Sequence, residues 1–384
     1  MSSITSPIML DATGKEIAAA LQALVAIQTN EATTVDTWAK FQTLVRAGVA
    51  ESIYPVGTKL TVEHTTYGTV TWIVAAYNHH PDPTGRVQNS VTLVSDGCPV
   101  NSLQYDSTEA MYYAESELPA GTYHFTLMAG YDETYGGGKT LQFTLSKPVP
   151  AGGQIVFAWS YQVQAAACKI STYESSSSTT AIESGIAVSE GSDGTDLGVT
   201  DGTGNMNHIH RARYGSNNWK QSAMRQFLNS AGAAGTFWKP QTKYDRPPSW
   251  VASTAGWMAG LPEEFLAVVG KVDITTKTNS VFETGDDPIK SSYVTRDTFW
   301  LLSRDELGYG VESGIPEGSV LDLFKGATDI DRIKYNKDGT ARYWWMRSPI
   351  PGNASIVRIV YPSGALLSYY ASHSYAVVPA CVIY

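Results

Sequence analysis

The chain has 384 residues, which is enough for one large domain with insertions or for two to three smaller domains. Its formal net charge is −9 and it contains no run of Lys and Arg, so a nucleic-acid partner is not expected. Only 16% of the residues are charged, and the 34 Gly, 22 Tyr and 10 Trp favour a loop-rich β or α+β protein over a helical bundle.

The first fifty residues carry two helical patterns. Apolar residues recur at helical spacing in two stripes, Ile17, Leu21, Leu24 and Val25 and then Val35, Trp38, Phe41 and Val45. Gly48 is placed to end the second helix. We therefore predict a helical segment over residues 1–50, whose stripes either pack on the protein's own core or serve attachment and oligomerisation. Neither a signal peptide nor an apolar run of membrane length is found, so membrane insertion is not expected.

From Tyr54 onward the sequence changes to the alternation typical of β-strands. Strands are predicted over the ranges 59–64, 69–77, 90–94, 121–128, 140–145 and 154–162. The first two form a hairpin through a turn at Tyr67-Gly68. An inserted antiparallel β unit is assigned to about 95–162. Residues 174–206, rich in Ser, Thr, Gly and Asp, are predicted to form long surface loops.

The last part of the chain mixes helical and strand patterns. A helix is predicted over 218–230, a second helical piece over 262–269, a strand over 298–302 and a short turn or helix from Ser303. No segment repeats at a fixed period. The order of elements along the chain predicts an α+β fold.

Few residues are arranged as a metal or catalytic site requires. His208 and His210 would share one face of a strand, but a third ligand at recognisable spacing is missing. Asp193, Asp196 and Asp201 lie in a Gly-rich loop without the spacing of a known calcium loop. No metal, cofactor or catalytic residue is therefore assigned, and the protein is interpreted as a non-enzyme. Core packing is favoured over a sugar-stacking platform for the aromatic residues near Arg246-Pro-Pro248, namely Trp238, Trp250, Trp257 and Trp300.

The C-terminal segment has an unusual composition. The 28 residues from Ser348 to Tyr375 contain no Lys, Glu, Gln, Met or Trp. These five are the residue types that no codon ending in a pyrimidine encodes. Adenine-specific mutagenesis of Asn (AAY) codons would produce codons of that form.

A frame of other residues surrounds the positions that such mutagenesis would change. It consists of Tyr343-Trp-Trp-Met-Arg-Ser-Pro349, Asn353-Ala354, Val357-Arg358, Pro362-Ser-Gly-Ala-Leu366, Ala371 and Val377-Val-Pro-Ala-Cys-Val-Ile383. Three upstream phrases accompany it, Tyr214-Gly-Ser-Asn-Asn-Trp-Lys220, Asp245-Arg-Pro-Pro-Ser-Trp250 and Trp300-Leu-Leu-Ser-Arg304. Over roughly residues 50–384 the chain resembles gut-phage-type target proteins of diversity-generating retroelements.

The resemblance implies a C-type lectin fold, in the variant of formylglycine-generating enzymes, over residues 51–384 with a variable region at 344–384. It also implies a place on a phage tail or a bacterial surface and a protein or glycan receptor on a bacterial cell. Contacts to other virion proteins through the N-terminal segment, and a homotrimer, would suit that role. The candidate ligand-binding positions left outside the frame are Ile350, Gly352, Ser355, Ile356, Ile359, Tyr361, Leu367, Ser368, Tyr369, Tyr370, Ser372, His373, Ser374 and Tyr375.

Two other classes of function stay open. One is a structural virion component, in which the terminal segment is buried against a neighbouring subunit. The other is an oxidase like the formylglycine-generating enzyme, which would need Cys168 and Cys381 to approach each other with depressed thiol pKa values. The chain contains three cysteines, these two and Cys98, and they lie far apart in the sequence. Buried free thiols are therefore expected. The Glu-Pro-Asn, Gln-Pro-Asp and Trp-Asn-Asp motifs of calcium-dependent lectins do not occur.

Overall fold

A computed structural model describes Leu21 and residues 32–33, 35–127, 138–159, 169–199, 208–279 and 292–384. The fold is mixed α+β, as predicted, and β-sheets dominate it: 36% of residues are in strands and 15% in helices, and one sheet is curled into a half-barrel. Within the described ranges, no helix combines the length and the apolar character that crossing a bilayer requires. The first predicted helical stripe lies outside the described residues except for Leu21.

Strands make up most of the regular structure. In chain order they are β1 (Ala32–Thr33), β2 (Lys59–His64), β3 (Gly68–Tyr77), β4 (Val91–Ser95), β5 (Val100–Gln104), β6 (Tyr112–Tyr113), β7 (Gly121–Thr126), β8 (Thr140–Leu145), β9 (Gln154–Trp159), β10 (Lys169–Tyr173), β11 (Glu183–Ala187), β12 (Ser189–Glu190), β13 (Thr195–Val199), β14 (Val269–Gly270), β15 (Val272–Lys277), β16 (Ser292–Asp297), β17 (Phe299–Leu301), β18 (Lys334–Tyr335), β19 (Ala341–Arg342), β20 (Trp344–Pro349), β21 (Ile356–Val360), β22 (Leu366–Tyr370), β23 (Ser374–Val377) and β24 (Pro379–Ile383).

The helices are short. They are α1 (Trp38–Arg46), α2 (Ala50–Ile53), α3 (His208–Tyr214), α4 (Ala223–Leu228) and α5 (Glu263–Leu266), with 3-10 turns at Ser249–Ser253, Trp257–Gly260, Asp322–Phe324 and Asp329–Arg332. The helices predicted over 218–230 and 262–269 are therefore shorter than expected. The segment from Ser303 is a turn, as predicted, in which Ser303 and Glu306 exchange side-chain to backbone hydrogen bonds.

Helix α1 packs on the protein's own core. The Thr37 side chain caps its first turn, and Trp38, Phe41 and Val45 form its buried face. The helix ends at Arg46, and Gly48, just beyond its C-cap Ala47, has a φ of +73° that allows the left-handed turn predicted there. This second apolar stripe is thus a core stripe in the structure.

A seven-stranded sheet forms the base of the fold. Its order is β1-β2-β3-β4-β24-β14, with β17 also pairing with β24. The β2–β3 hairpin turns at Gly68, as predicted, where φ is +62°. Because the C-terminal strand β24 lies between β4 and β17, the end of the chain is built into the centre of the core.

The inserted β unit has a core of its own. One four-stranded sheet has the order β11-β10-β9-β6 and the other β12-β8-β7-β13. Buried Phe125, Leu141 and Ile170 belong to a cluster separate from the main core. These strands run from 112 to 199, whereas the unit was expected at about 95–162. The prediction of long loops over 174–206 is therefore wrong for 183–199, where three strands pair with β7, β8 and β10.

A five-stranded sheet carries the C-terminal segment. Its order is β22-β21-β20-β23-β5, so β22 is an edge strand. Strand β5 falls inside the range expected for the inserted unit, yet it pairs with β23. Strands before and after the inserted unit thus complete the sheet that positions the predicted variable region.

Candidate ligand-binding surface

The part of the frame that forms β20 is buried. All six residues of β20 are buried, and consecutive Trp344 and Trp345 point to opposite faces of the sheet. The Trp344 indole donates to the carbonyl oxygen of Arg332 at 3.2 Å, and the Trp345 indole donates to that of Leu103 at 2.9 Å. These residues supply core packing, as predicted for the frame.

Arg347 places a guanidinium in the middle of β20. It pairs with the Glu306 carboxylate at 2.5 Å and donates to the carbonyl oxygens of Leu301 at 2.9 Å and Glu317 at 2.6 Å. Burial alone would raise the pKa of Glu306, but Arg347 and His80 lower it to about 2. The pair fixes β20 against the residues that follow β17, and removing one partner would leave a buried charge.

The segment before α4 holds the turn 350–355, which precedes β21 in the predicted variable region. The Asn217 side-chain amide donates to the carbonyl oxygens of Asn353 at 2.6 Å and Ile356 at 2.9 Å. Its backbone N–H donates to the carbonyl oxygen of Ala354 at 2.9 Å. Asn353 accepts both the N–H and the hydroxyl of Ser355. The turn is therefore held mainly by backbone groups and by frame side chains.

Backbone bonds also hold a second stretch of the predicted variable region, the turn 371–373 between β22 and β23. The Ser372 N–H donates to the Tyr214 carbonyl oxygen at 2.7 Å, and the Gln104 amide donates to the Ser372 carbonyl oxygen at 2.7 Å. The Tyr214 ring stacks on Tyr370 with 3.9 Å between centroids. The upstream phrase that begins at Tyr214 thus supports both stretches.

The turn between β21 and β22 requires glycine at position 364. Gly364 has a φ of +85°, and a Cβ there would lie 1.6 Å from the Asp329 carbonyl oxygen. Its N–H donates to the Tyr361 carbonyl oxygen at 2.8 Å. The close approach of the backbone explains why this position belongs to the frame.

Edge strand β22 turns side chains toward solvent. Its pairing with β21 sets Leu367 opposite Ile359 and Tyr369 opposite Val357, so all four share one face. Leu367 and Tyr369 are 40% and 38% exposed, whereas Ile359 and Val357 are 0% exposed. The same face of the sheet therefore changes from core to solvent between two adjacent strands.

A set of aromatic side chains at this end of the sheet forms a continuous group, which we name the aromatic surface. Its members are Tyr343, Tyr361, Tyr369, Tyr370, His373 and Tyr375. Neighbouring ring centroids are 4.3 to 6.2 Å apart, mostly in edge-on or tilted orientations. The group presents large amphipathic area with little freedom to lose on binding.

Two groups of the aromatic surface have pKa values shifted in favour of their neutral forms. Burial lowers the pKa of His373 below its ordinary 6.5, and burial with neighbouring tyrosines raises the pKa of Tyr375 to about 12. Arg358 lies on the opposite face of β21, where it pairs with Glu312. The surface would therefore recognise a partner by shape, stacking and hydroxyl bonding rather than by charge.

Twelve of the fourteen candidate positions are at least partly exposed. Exposed positions are Tyr361, Leu367, Tyr369, His373 and Ser374, and half-buried ones are Ile350, Gly352, Ile356, Ser368, Tyr370, Ser372 and Tyr375. The other two, Ser355 and Ile359, are 0% exposed. Ser355 bonds to Asn353 inside the first turn, and Ile359 lies on the central strand β21 beside Trp345. The prediction that Ser355 and Ile359 contact a ligand is therefore replaced by a structural role for both residues.

The sequence interpretation missed two residues of this region. Tyr343 was placed in the frame, yet its ring contacts both Tyr361 and Tyr375 in the aromatic surface. Tyr214 lies far upstream and stacks on Tyr370. The first could have been found from strand alternation, because Tyr343 is two residues before Trp345. No local signal marks the second.

The described residues bring together one group with metal-ligand chemistry. The donor atoms of His79, His80 and Glu306 lie within 4.8 Å of one another. The two ring nitrogens of His80 already contact Thr92 at 2.9 Å and Glu306 at 3.1 Å, and Glu306 also pairs with Arg347. A guanidinium on that carboxylate opposes a bound cation, so the group is assigned to the buried polar network.

Among the described residues, the histidines and aspartates considered from the sequence are not gathered into a site. His208 and His210 lie on α3 and not on a strand, so their spacing does not put them on one face. Asp193 and Asp196 are exposed beside His124 of β7. Asp201 and the His208 side chain lie outside the described residues.

The two described cysteines are buried thiols. Burial raises the pKa of Cys98 to about 12 and raises that of Cys381 well above its ordinary value. Oxidase chemistry would need a depressed value at Cys381, which the centre of the core does not provide. Cys168 lies outside the described residues.

The tryptophans near Arg246-Pro-Pro248 divide into two groups. Trp257 and Trp300 are fully buried, as core packing predicts, whereas Trp238 and Trp250 are half-buried. Trp238 and both prolines line a cavity beside the inserted β unit.

Residues 193–384, half of the chain, match the family model described as Domain of unknown function (DUF6273). The chain belongs to the DUF6273 family. The DUF6273 match contains β20 to β24 and the three upstream phrases, whereas β2 to β5, which complete both large sheets, precede it. No curated protein and no solved structure matches the chain.

Proposed function

We propose that the protein is a hypervariable receptor-binding protein, a phage tail adhesin whose C-terminal region is diversified by a retroelement. The observation that carries the proposal is the separation of two sets of residues within one sheet. Most of the frame is buried, including all of β20 and Val377 to Ile383, while twelve candidate positions are exposed or half-buried on the strands and in the turns beside it. Residues that can change without disturbing a core are what a diversified binding surface needs.

The chemistry of the exposed positions suits contact with many ligands. Tyrosine rings provide apolar area together with a hydroxyl, and Ser372 and Ser374, which flank His373, add small adaptable hydroxyls. Ser368 adds a hydroxyl on the opposite face of β22, across from Arg358. Leu367 adds an exposed apolar side chain on the same face as Tyr369. A protein or glycan receptor on a bacterial cell is the partner class proposed.

The proposal includes a C-type lectin fold of the formylglycine-generating-enzyme-like kind. The sequence resemblance supports it, and the mixed α+β architecture is compatible with it. Attachment to other virion proteins through the N-terminal segment, and assembly into a trimer, would multiply weak single contacts on a cell surface.

A four-residue exchange tests the proposal. Tyr361→Ser, Leu367→Asn, Tyr369→Asp and His373→Ser, made together, use only residue types that pyrimidine-ending codons encode. We expect a small change in melting temperature, because exposed substitutions each alter stability by about 0.5 kcal/mol or less. Binding to a panel of whole gut bacterial isolates, measured by flow cytometry, should change in strength or in host range.

The matched control is Ile359→Asn, which places a polar group in the core beside Leu367 and should unfold the protein. The proposal fails if the four-residue variant unfolds like the control or keeps the full binding profile. A second test is genomic. We expect a near-copy of codons 344–384 that differs only at adenines, with a reverse transcriptase gene nearby; identical codons across close relatives would favour a structural virion component.

A further inference from the structure

A cavity of about 570 Å³ lies between the inserted β unit and the segment 235–252. Strands β9 and β10 form one wall, and the 3-10 turn Ser249–Ser253 with the preceding prolines forms the other. None of the fourteen candidate variable positions lines it. Its volume is within the range of sites that hold small ligands.

Large apolar side chains line the cavity. The half-buried Trp238 indole and the rings of Pro247 and Pro248 come from the segment 235–252, and the buried Phe157 comes from β9. Proline rings restrict the backbone, and Trp238 packs against the main core. The apolar wall is therefore formed before any ligand arrives.

Arg246 is the charged side chain among the described residues that line the cavity, and at least three of its five N–H groups already bond to protein oxygens. It donates to the Gln154 side-chain oxygen and to the Ser175 carbonyl oxygen, both at 3.0 Å, and also to the Ser178 carbonyl oxygen. Its guanidinium lies 3.7 Å from the centre of the Tyr173 ring. This side chain holds the wall together and offers little to an anion.

The remaining polar lining groups are neutral. The lining includes the hydroxyl-bearing residues Thr108, Ser171 and Ser249 and the amide-bearing residue Gln104. Hydroxyl and amide groups both donate and accept hydrogen bonds. The cavity therefore combines aromatic and proline rings with neutral hydrogen-bonding residues.

We propose that this cavity binds a neutral sugar unit. A pyranose ring has an apolar face of C–H groups, which would pack on the indole and proline rings, and a rim of hydroxyls for the hydroxyl and amide groups of the lining. An anionic sugar would leave water without an available cation in the described lining. Because no candidate variable position lines the cavity, its specificity would stay constant while the aromatic surface changes.

The cavity adjoins the aromatic surface. Gln104 lines the cavity and its amide also donates to the Ser372 carbonyl oxygen at 2.7 Å, next to His373. A glycan chain longer than one unit could therefore contact both regions, although the cavity proposal holds without any diversification.

Saturation-transfer NMR of the full chain tests the site. The probes are D-glucose, D-galactose, L-rhamnose and N-acetyl-D-glucosamine, with D-glucuronate and N-acetylneuraminate as anionic comparators. Ala252→Trp fills the cavity from its exposed side, and Trp238→Ala removes the stacking surface. Ala39→Trp, at an exposed position of α1, is the matched control.

We expect at least one neutral sugar to receive saturation from the wild type and from Ala39→Trp. The signal should vanish in Ala252→Trp, and affinity should fall by about tenfold in Trp238→Ala. Melting temperatures identify any variant that fails to fold. If one of the two cavity variants does not fold, the saturation signal of the other tests the proposal. Signal from none of the neutral sugars, undiminished signal in the folded cavity variants, or stronger binding of the anionic sugars would overturn the proposal. The four-residue exchange on the aromatic surface should leave this signal intact. A failure of the adhesin proposal can therefore be distinguished from a failure of the sugar-binding proposal.

Discussion

Arg347 and Tyr369 belong to the same five-stranded sheet, two strands apart, and their surroundings are opposite. Arg347 on β20 is enclosed by Glu306 and by backbone carbonyl groups. Tyr369 on the edge strand β22 is 38% exposed and contacts other aromatic rings. The contrast teaches that one sheet separates the residues that determine stability from those available for recognition, and four predictions test that separation.

The largest effect is expected at Arg347. Arg347→Met should lower the free energy of unfolding by about 3–5 kcal/mol, because the buried Glu306 carboxylate loses its partner. Chemical denaturation with urea measures the change. The matched control is Arg296→Met, which breaks an exposed pair with Asp273 and should cost about 1 kcal/mol or less. Equal costs for the two variants would show that the buried network does not stabilise the frame.

The next largest effect compares two residues that face each other across neighbouring strands. Ile359→Ala should cost about 2–5 kcal/mol, since Ile359 is fully buried. Leu367→Ala, directly opposite, should cost about 0.5 kcal/mol or less. Thermal and urea unfolding of both variants measure the difference. A stable Ile359→Ala protein would return position 359 to the ligand-binding set.

Asn217 tests whether upstream residues hold the variable turn. Asn217→Ala should cost about 2–3 kcal/mol, because two buried carbonyl oxygens, of Asn353 and Ile356, lose their donor. Asn101→Ala, at an exposed position, is the control and should be nearly neutral. Hydrogen exchange at residues 353–356 should accelerate in the first variant and not in the second. Unchanged exchange there would remove the supporting role.

The smallest effect concerns pH. Burial raises the pKa of Glu317 to about 7, although Arg347 opposes the shift. A carboxyl with a raised folded-state pKa contributes stability that is complete below its ordinary 4.5 and is lost as pH rises through about 7. We expect the unfolding free energy from this group to fall by roughly 1–2 kcal/mol between pH 5 and 7. Glu317→Gln should flatten that slope, and an unaltered slope would contradict the assignment.

Local patterns determined the elements that the sequence predicted well. Strand β8 occupies 140–145, the range predicted for it, and α1 buries the stripe of Trp38, Phe41 and Val45. In both cases the period of the apolar residues matches the period of the element. The burial of the frame residues in β20 could likewise be predicted, because large apolar residues are usually buried in the core.

Long-range pairing determined the elements that could not be predicted. Strands β11 to β13 have a loop-like composition and form because β7, β8 and β10 offer unsatisfied backbone groups. Strand β5, which precedes the inserted β unit, pairs with β23, which lies far from it along the chain. Ile359 and Leu367 share one face of the sheet. Ile359 is buried because β21 is an interior strand, and Leu367 is exposed because β22 is an edge strand. The codons that can encode a residue do not indicate which of these strands it occupies.

The hydrogen bond from the Ser372 N–H to the Tyr214 carbonyl oxygen sets a limit on any repertoire built at this position. Pyrimidine-ending codons include those for proline, which has no N–H to donate. A population of copies diversified at codon 372 would therefore always contain members with a weakened second stretch, whatever the receptor. Selection on such a population would first remove the members whose stability is lowered by proline at position 372. Only the remaining copies would then be selected for binding.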